Sequence, residues 1–448
     1  MAGGPSLRAQ RSARRFTLRR MEYAVLGRSM PLRQDPLRWQ KFSLAVGCGV
    51  AGAALILDAV LGSAGHRIPA DAAVVMSRQT GALFVRVDDR LRPVVNLTSA
   101  RLILGSPATP HLVDEAALRD TDRGPMLGIP GAPPAPGQVM APRDLRWAVC
   151  DDAEGTTTVA VGDDSVPPDL DPHTAVVVTA AGGDGSVYLL YDGKRAMLDP
   201  GDPATARVLR IEEVAVRTVS TTVLNAIPEV PAIGAPRIEG SGQPSGISGA
   251  AIGAVMRVTR TASVEYYVAL RGGLQRIGRL AAELIRFNDP TARPEIVDVP
   301  AELITHNPLV DTLPVGTYPD QPPTLLDSSD NLCATWSAGR SGVTVGPRLP
   351  DRPGMVTLAG ADGDGPAVDT VRIPPGTNLD VVDVSTMGRY LITGAGVRFP
   401  VGVSSVTALG LSGRPVEAPW SIIGALPAGP QLVRDAALVG RDVLTTTP

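Results

Sequence analysis

The sequence predicts an α+β protein with a single N-terminal transmembrane helix, followed by an elongated extracytoplasmic domain of four ββα-type repeats around a central antiparallel β core with one disulfide. Three observations predict this class. One apolar run, residues 42–62, is long enough to cross a bilayer. A hairpin-and-helix pattern recurs four times after it. Two segments that pair a tryptophan with a cysteine in mirrored order suit two strands of one core.

The apolar run reads FSLAVGCGVAGAALILDAVLG, and a helix of this length spans about 30 Å, the thickness of the hydrocarbon core of a bilayer. Its one charge, Asp58, lies near the outer end, where a carboxylate reaches the headgroups at modest cost. A secretory signal peptide is the competing interpretation, but its apolar core would be shorter, about 7–15 residues. We therefore expect a retained anchor.

Charged residues are distributed unevenly on the two sides of this apolar run. Residues 1–41 carry ten Arg and Lys against two acids, whereas the formal charge from residue 42 onward is −11. The positive-inside rule predicts a single-pass protein whose first 41 residues stay in the cytoplasm and whose large C-terminal part lies outside. The acidic balance of the large part argues against nucleic-acid binding.

Residues 12–28 can form a helix with an arginine-rich face beside an apolar one that contains Leu18, Met21 and Val25. Two interpretations stay open, a helix held on anionic lipid and a docking helix for the cytoplasmic domain of a partner. The candidate membrane- or partner-docking residues are Arg14, Arg15, Phe16, Arg19, Arg20 and Asp58.

Three cysteines are present, and Cys48 within the apolar run is most simply a small apolar residue. Cys150 and Cys333 fall on the predicted oxidising side, where thiol pairs become disulfides. Their settings, Trp147-Ala-Val-Cys150 and Cys333-Ala-Thr-Trp336, mirror each other. We therefore predict a bridge closing a loop of roughly 180 residues between two strands of one core. Two buried free thiols are the alternative.

The repeat unit is an aromatic-bearing strand, a short polar or glycine turn, a second strand and a short amphipathic helix. Asp-Gly and Gly-Gly between apolar runs favour type I′ hairpins, which need positive φ at both central positions. One such unit cannot bury its own apolar face, so the copies should pack on each other or on a shared core. The aromatic anchors are Phe84, Tyr188, Tyr267 and Tyr390, and the predicted turns are Asp88-Asp89, Asp192-Gly193, Gly272-Gly273 and Gly394-Ala395-Gly396.

These patterns divide the chain as follows. Residues 1–41 form the cytoplasmic segment and residues 42–62 the membrane span. The four repeats are residues 66–123, 176–227, 250–305 and 366–440, and the central core has two parts, residues 139–175 and 306–365. The remaining segments are a Pro/Gly linker at 124–138, an exposed loop at 228–249 and the tail at 441–448.

A search for catalytic motifs finds none. The P-loop pattern is absent, because Lys194 follows Gly193 but is followed by Arg195. The four histidines, His66, His111, His173 and His306, are isolated and lack zinc-hydrolase spacing. The segment Gly246-Ile-Ser-Gly-Ala250 has alanine where a nucleophile elbow needs glycine. We therefore predict no catalytic, cofactor-binding or metal-binding residues and a role that is not enzymatic.

Taken together, the sequence resembles the EccB family, an inner-membrane component of type VII (ESX) protein secretion systems. The resemblance extends from the basic head to the fourth repeat. The residues that carry it are Arg14-Arg15-Phe16-Thr-Leu-Arg19-Arg20-Met-Glu22, Asp35-Pro-Leu-Arg38, Gly81-Ala-Leu-Phe84-Val-Arg86-Val, Pro93-Val-Val-Asn96-Leu-Thr98-Ser-Ala100-Arg101-Leu-Ile-Leu-Gly105 and Arg123-Gly-Pro-Met-Leu-Gly128-Ile-Pro130-Gly131-Ala-Pro133.

This resemblance implies a structural subunit that anchors and assembles the secretion channel and forms homo-oligomers. It implies the EccC ATPase, EccD, EccE and the MycP protease as partners. No cofactor is expected, because the motif search found no cofactor-binding pattern. Two alternative functions follow from the family. Its repeats are compared with modules that bind the cell wall, which would make the chain a peptidoglycan anchor, and some members are labelled ATPases.

Overall fold

The computed structural model describes residues 7–27 and 68–442, apart from 120, 141–144, 163, 165, 248, 262, 289–294, 328–330, 352–353 and 375, together with positions 43, 46–48 and 50–51. It divides into two compact units. One consists of residues 1–71, 77–80 and 112–121, and the other of residues 72–76, 81–111 and 122–448. The architecture is mixed α and β, with sheets predominating.

The elements from the N-terminus to the first sheet are α1 (Leu7–Val25), β1 (Val74–Ser77), β2 (Leu83–Val87), β3 (Arg90–Val94), α2 (Leu97–Leu104), β4 (His111–Val113), α3 (Glu115–Leu118), β5 (Met126–Leu127) and β6 (Gln138–Val139). There follow β7 (Trp147–Asp152), β8 (Thr157–Val161), β9 (Thr174–Ala180), β10 (Val187–Tyr191), β11 (Lys194–Leu198), α4 (Pro203–Leu209), a 3₁₀ turn (Ile211–Glu213), β12 (Arg217–Val219), α5 (Thr221–Ala226) and β13 (Glu229–Ile233).

The next elements are β14 (Val255–Thr259), β15 (Val264–Leu270), β16 (Gly273–Ile277), α6 (Arg279–Asn288), β17 (Val297–Asp298), α7 (Ala301–Thr305) and β18 (Thr324–Leu325). The last are β19 (Asn331–Ser337), β20 (Arg340–Gly346), β21 (Met355–Thr357), β22 (Thr370–Arg372), β23 (Thr377–Asp383), β24 (Arg389–Ile392), β25 (Arg398–Pro400), a 3₁₀ turn (Val403–Ser405), β26 (Val416–Ala418), α8 (Trp420–Ile423), α9 (Arg434–Ala437) and β27 (Gly440–Arg441).

Four of the sheets are built around a three-stranded antiparallel meander. The meanders are β1-β2-β3, β9-β10-β11, β14-β15-β16 and β23-β24-β25, and the last two strands of each form one of the hairpins that the sequence predicts. Asp88 and Asp89 have φ of 51° and 57°, and Asp192 and Gly193 have 43° and 68°, as type I′ turns require. In the third hairpin Leu270 pairs with Gly273, so the turn lies at Arg271-Gly272, one residue before the predicted place.

After each meander the chain returns twice to the same sheet. One short strand pairs in parallel with the first strand of the meander, as β12 does with β9, β17 with β14 and β26 with β23. A short helix follows, and the chain then runs parallel to the third strand: β5 beside β3, β13 beside β11, Leu309 beside Leu274, and Ala428 beside Arg398. The unit is therefore larger than the predicted ββα pattern, because these returning strands are only two to five residues long and leave no periodic signal.

The helix after the meander begins at a good capping residue in the first two copies. The Asn96 side chain accepts a hydrogen bond from the Ser99 backbone N–H at 2.8 Å, and that of Asp202 accepts from Ala204 and Thr205. The fourth copy has a 3₁₀ turn where the sequence predicts a helix, since the segment after β25 contains Gly, Val, Ser and Thr, which are weak helix formers.

The central sheet has the strand order β20-β19-β7-β8-β22-β21. All its pairs are antiparallel except β8 with β22, so the predicted antiparallel core contains one parallel pair. Residues 370–372, which the sequence assigns to the fourth repeat, belong to this sheet.

Three connecting segments also differ from the sequence prediction. The Pro/Gly segment 124–138 is docked through β5 and β6 rather than running as a linker, and Thr98 Oγ1 donates to Pro133 O at 2.6 Å. Segment 228–249 begins with β13, which pairs with β11. Residues 306–325 lie on the third and second repeats rather than in the central core, since Gln275 Oε1 accepts from the backbone N–H groups of Thr312 and Leu313 at 2.8 Å.

Clusters of buried apolar side chains connect each sheet to a neighbouring one. Alternate residues of β9 face two of them, with Val176 and Val178 packed toward the central sheet and Ala175 and Val177 toward α4 and α6. A further cluster joins the first and fourth repeats, and there Leu432 and Ala437 are fully buried. Arg434 Nε donates to Ile103 O at 3.1 Å, so the C-terminal segment closes onto the first repeat.

Candidate functional site

The centre of the described structure is the pairing of β7 with β19. Cys150 lies opposite Cys333, and the two form a disulfide. Trp147 lies opposite Trp336 in the same register, and both rings are buried, at 0% and 7% exposure. The mirrored order of tryptophan and cysteine in the sequence is thus the signature of two antiparallel strands. The predicted bridge is confirmed.

The residue after Cys150 joins the second repeat to this sheet. The Asp151 carboxylate accepts hydrogen bonds from the Ser220 backbone N–H at 2.6 Å, the Ser220 hydroxyl at 3.0 Å and the Thr157 hydroxyl at 2.8 Å. Arg217 donates to the backbone O of Asp151 at 2.9 Å. Ser220 also caps α5, so one carboxylate holds β7, β8 and the start of that helix together.

Burial raises the pKa of Asp151 above its ordinary value, and the hydrogen bonds from Ser220 and Thr157 and the charge of Arg217 offset part of that shift. A cavity of about 430 Å³ lies beside this group, lined also by Asp152, Glu154 and Asp364. Because both carboxylate oxygens of Asp151 already accept hydrogen bonds, the geometry assigns it to holding the fold rather than to proton transfer. No sequence pattern predicts this network, because it joins residues 69 positions apart.

Helix α1 contains five of the six predicted docking residues. Arg14, Arg15, Phe16, Arg19 and Arg20 are all exposed on it. Helical spacing places Arg15 and Arg19 on one face, with Leu18, Met21 and Val25 on the adjacent face, and these three apolar side chains are between 56% and 86% exposed. Within its own unit α1 therefore presents both charge and apolar surface.

The sixth docking residue, Asp58, lies outside the described residues, as does most of the predicted span at 42–62. Among the residues that are described, no helix combines the length and the apolar character needed to cross a bilayer. Within the same residues, no group of three or more His, Cys, Asp or Glu side chains is placed to hold a metal ion. Ser248 of the glycine-rich loop is also outside the described part.

The fold and this centre define a class of protein built from repeated sheets and stapled by a disulfide. A family model described as type VII secretion system ESX-1, transport TM domain B, matches residues 4–446. The chain belongs to this family, EccB.

Relatives match along nearly the whole chain. The ESX-3 secretion system ATPase EccB3 of Mycolicibacterium smegmatis is 33% identical over 482 residues, covering 98% of this chain and 92% of that protein. The ESX-5 secretion system ATPase EccB5 of Mycobacterium marinum is 32% identical over 486 residues, covering 98% and 94%.

Solved structures share the fold. A chain of an intact ESX-5 inner membrane complex matches with a TM-score of 0.72 and 31% identity, covering 100% of this chain and 98% of that one. The EccB3 dimer from the ESX-3 core complex matches with a TM-score of 0.71 and 32% identity, covering 82% and 100%.

Removal of the disulfide should lower stability. The bridge closes a loop of 183 residues, and the loss of chain entropy in the unfolded state predicts a contribution of about 5 kcal/mol. We expect the double variant Cys150→Ala/Cys333→Ala to unfold at a lower denaturant concentration than the oxidised wild type. Equal midpoints would contradict this, and Cys48→Ala is the matched control.

The Asp151→Asn variant should be destabilised by about 1–3 kcal/mol at neutral pH, because its amide turns a donor toward the N–H or hydroxyl donors around it. The folded pKa of Asp151 lies above the ordinary value of 3.8, so the folded protein takes up this proton first as pH falls. The wild type should therefore gain stability over the variant as pH falls through the folded pKa, and the gain is complete below 3.8.

Denaturant midpoints of both proteins across this pH range test the prediction. Asp89→Asn is the control, because Asp89 lies at a positive-φ turn position that asparagine also favours. A gap between wild type and Asp151→Asn that narrows with acidification would contradict the assignment.

Proposed function

We propose that this protein is a structural subunit of the inner-membrane core complex of a type VII (ESX) secretion system, which it anchors and assembles through its periplasmic domain. The observation that carries the proposal is the match over the full chain, in sequence and in fold, to a chain of an intact ESX-5 inner membrane complex. In this proposal residues 1–41 are cytoplasmic, residues 42–62 span the inner membrane once, and the four repeats with their central core form an elongated periplasmic domain.

Continuous packing supports a scaffold role. The buried clusters join the third repeat to the second, the second and the fourth to the central sheet, and the fourth to the first. Buried polar contacts and a disulfide reinforce these joints. Since close-packed interiors transmit strain rather than absorb it, such a domain can hold other subunits at fixed positions.

The cytoplasmic helix supports a docking role. Four of its six arginines, Arg14, Arg15, Arg19 and Arg20, would contact a partner or anionic lipid together with Phe16. Asp58 of the proposed span would contact a neighbouring helix or the headgroup region. The proposed partners are the EccC ATPase, EccD, EccE and the MycP protease, together with further copies of this chain. Self-association is supported by a relative whose solved structure is a dimer.

Neutralising the helix should break assembly. We expect Arg14→Gln/Arg15→Gln/Arg19→Gln/Arg20→Gln to lose co-purification of EccC and EccD from mild-detergent membrane extracts, while the chain itself stays in the membrane. Four exposed charges contribute through summed electrostatics rather than through one contact, so the loss should be partial for single variants. Blue native gels check the size of the complex.

The matched control neutralises exposed ectodomain arginines, as in Arg90→Gln/Arg340→Gln. An intact complex with the quadruple variant would refute the docking role of the helix. If the variant chain no longer inserts into the membrane, the arginines instead set the orientation of the membrane span.

A peptidoglycan anchor is the alternative to a pure scaffold. If repeat surfaces bind the cell wall, the purified chain should bind isolated sacculi saturably and be displaced by soluble wall fragments. A pure scaffold predicts no saturable binding. The other alternative, ATP hydrolysis, rests on the names of the relatives. Against it stands the absence of the P-loop pattern from the sequence.

A further inference from the structure

The fourth repeat carries exposed apolar side chains on the loop that joins β23 to β24 and on the helix that follows β26. Val384 and Met387 of the loop are 43% and 72% exposed, and Trp420 at the start of α8 is 44% exposed. The loop and the helix are adjacent, because the Val384 backbone N–H donates to Ala418 O at 3.2 Å, two residues before Trp420. These side chains therefore belong to one surface.

Tyr390 and Arg398 connect the two parts of this surface. A Cβ added at Gly388, the last residue of the loop, would lie 3.2 Å from the Tyr390 ring. The centre of that ring lies 5.8 Å from the centre of the Trp420 ring, and the guanidinium carbon of Arg398 lies 4.8 Å from the latter. We call the following five residues the fourth-repeat patch: Val384, Met387, Tyr390, Arg398 and Trp420.

The loop holds Met387 in a backbone conformation that bulky residues avoid. Met387 has φ of 58°, whereas the loop between the same two strands of the second repeat has its positive φ at Gly182 and Gly185. The buried Asp383 carboxylate fixes the loop by accepting hydrogen bonds from the backbone N–H and the hydroxyl of Ser385 at 3.1 and 2.9 Å. A bulky residue that is kept strained and exposed to solvent points to a binding role.

The tryptophan is not needed to build the repeat. The helices at the same place in the second and third repeats, α5 and α7, begin with Thr221 and Ala301. Helix α8 begins with Trp420, directly after Pro419. A small residue is thus sufficient at this position, and the exposed indole is a feature of the fourth repeat.

The chemistry of the patch matches the centre of a protein–protein interface. Tryptophan, tyrosine, methionine and arginine are enriched in such centres, and Trp, Tyr and Arg most often dominate the binding energy. Within the described residues, the Tyr390 hydroxyl and the Trp420 indole N–H form no hydrogen bond, and Arg398 forms no ion pair. Arg398 Nε donates to Leu426 O at 3.0 Å, which leaves its terminal nitrogens for a carboxylate.

We propose that the fourth-repeat patch binds an extended peptide segment of a partner protein, in which an apolar side chain stands next to an Asp or Glu residue. The apolar side chain packs on Met387 and Trp420, and the carboxylate pairs with Arg398. Backbone carbonyls of the segment accept hydrogen bonds from Tyr390 and Trp420, because an extended chain leaves its carbonyls unpaired.

Two other occupants fit less well. A sugar would need a flat ring face, whereas Val384 and Met387 present aliphatic side chains. A second copy related by a two-fold axis would bring two Arg398 side chains into the same interface, and like charges repel each other there. A partner segment with a carboxylate avoids both problems.

The first experiment identifies what lies on the patch. The photoreactive residue p-benzoylphenylalanine replaces Val384 in the full chain, which is produced in its native cells and irradiated. Mass spectrometry should identify a crosslinked peptide of another protein with Asp or Glu next to the point of attachment. Arg398→Gln should lose most of this crosslink. Arg398→Lys should keep more of it, because lysine retains the charge but not the planar fork.

The second experiment measures affinity. A synthetic peptide of the crosslinked segment is titrated into the purified full chain. Met387→Gly and Trp420→Thr should each weaken binding about tenfold, because each removes one apolar contact. Met387→Gly should also melt at the same or a higher temperature than the wild type, since glycine adopts positive φ without strain. Its loss of binding therefore cannot come from unfolding.

Met197→Ala is the control, because it changes a methionine of the second repeat that is 41% exposed, and it should bind like the wild type. The proposal is overturned if the crosslink goes to a second copy, a lipid or a glycan, or if no crosslink forms. It is also overturned if Met387→Gly and Trp420→Thr bind the peptide as tightly as Met197→Ala does.

The proposal deepens the scaffold role and rests on it, since it names one surface by which the domain holds a partner. The two can fail separately. Loss of complex assembly in the α1 variant leaves peptide binding by the purified chain unchanged. Failure of the crosslink leaves the match to a chain of the ESX-5 inner membrane complex standing.

Discussion

The pairing of β7 with β19 sets where the four repeats lie along the chain relative to the central sheet. It brings together residues 183 positions apart and fixes their register through one disulfide and one pair of tryptophans. The second and third repeats lie entirely within the loop so closed, while the first and fourth lie outside it. This one disulfide therefore places the second and third repeats inside a closed loop of the chain and leaves the first and fourth repeats outside it.

The first and fourth repeats are joined by noncovalent contacts. The C-terminal segment returns to the first sheet through β27, which pairs with β5, and through α9, which packs on α2. Leu432 is fully buried in that joint. The second and third repeats are joined by α4 and α6, which pack on each other. Gln275 of the third repeat also holds the segment that follows that repeat. Both joints rely on buried apolar area with a few buried hydrogen bonds, which makes each neighbouring pair one cooperative body.

The repeats differ at one equivalent position, which pairs with the residues after the short second helix. Arg195 in the second repeat and Arg398 in the fourth donate backbone N–H groups to Pro228 O and Pro427 O at 2.9 Å, and their side chains hold carbonyls of Leu224 and Leu426. The third repeat makes the same backbone contact from Leu274 to Pro308, with an apolar side chain. The two repeats that touch the central sheet thus use arginine to tie the end of a short helix.

The hairpins, the disulfide and the family could all be predicted from the amino-acid sequence. Turn residues such as Asp88-Asp89 favour the positive φ of a hairpin turn, so the turn can be predicted from these two residues. The cysteine and the tryptophan of each core segment stand three residues apart in mirrored order, which predicts two antiparallel strands in register. The short parallel strands, the role of Asp151 and the contact of Arg434 with the first repeat are visible only in the folded chain. These depend on contacts between residues 69 and 331 positions apart, and such contacts leave no periodic trace in a single chain.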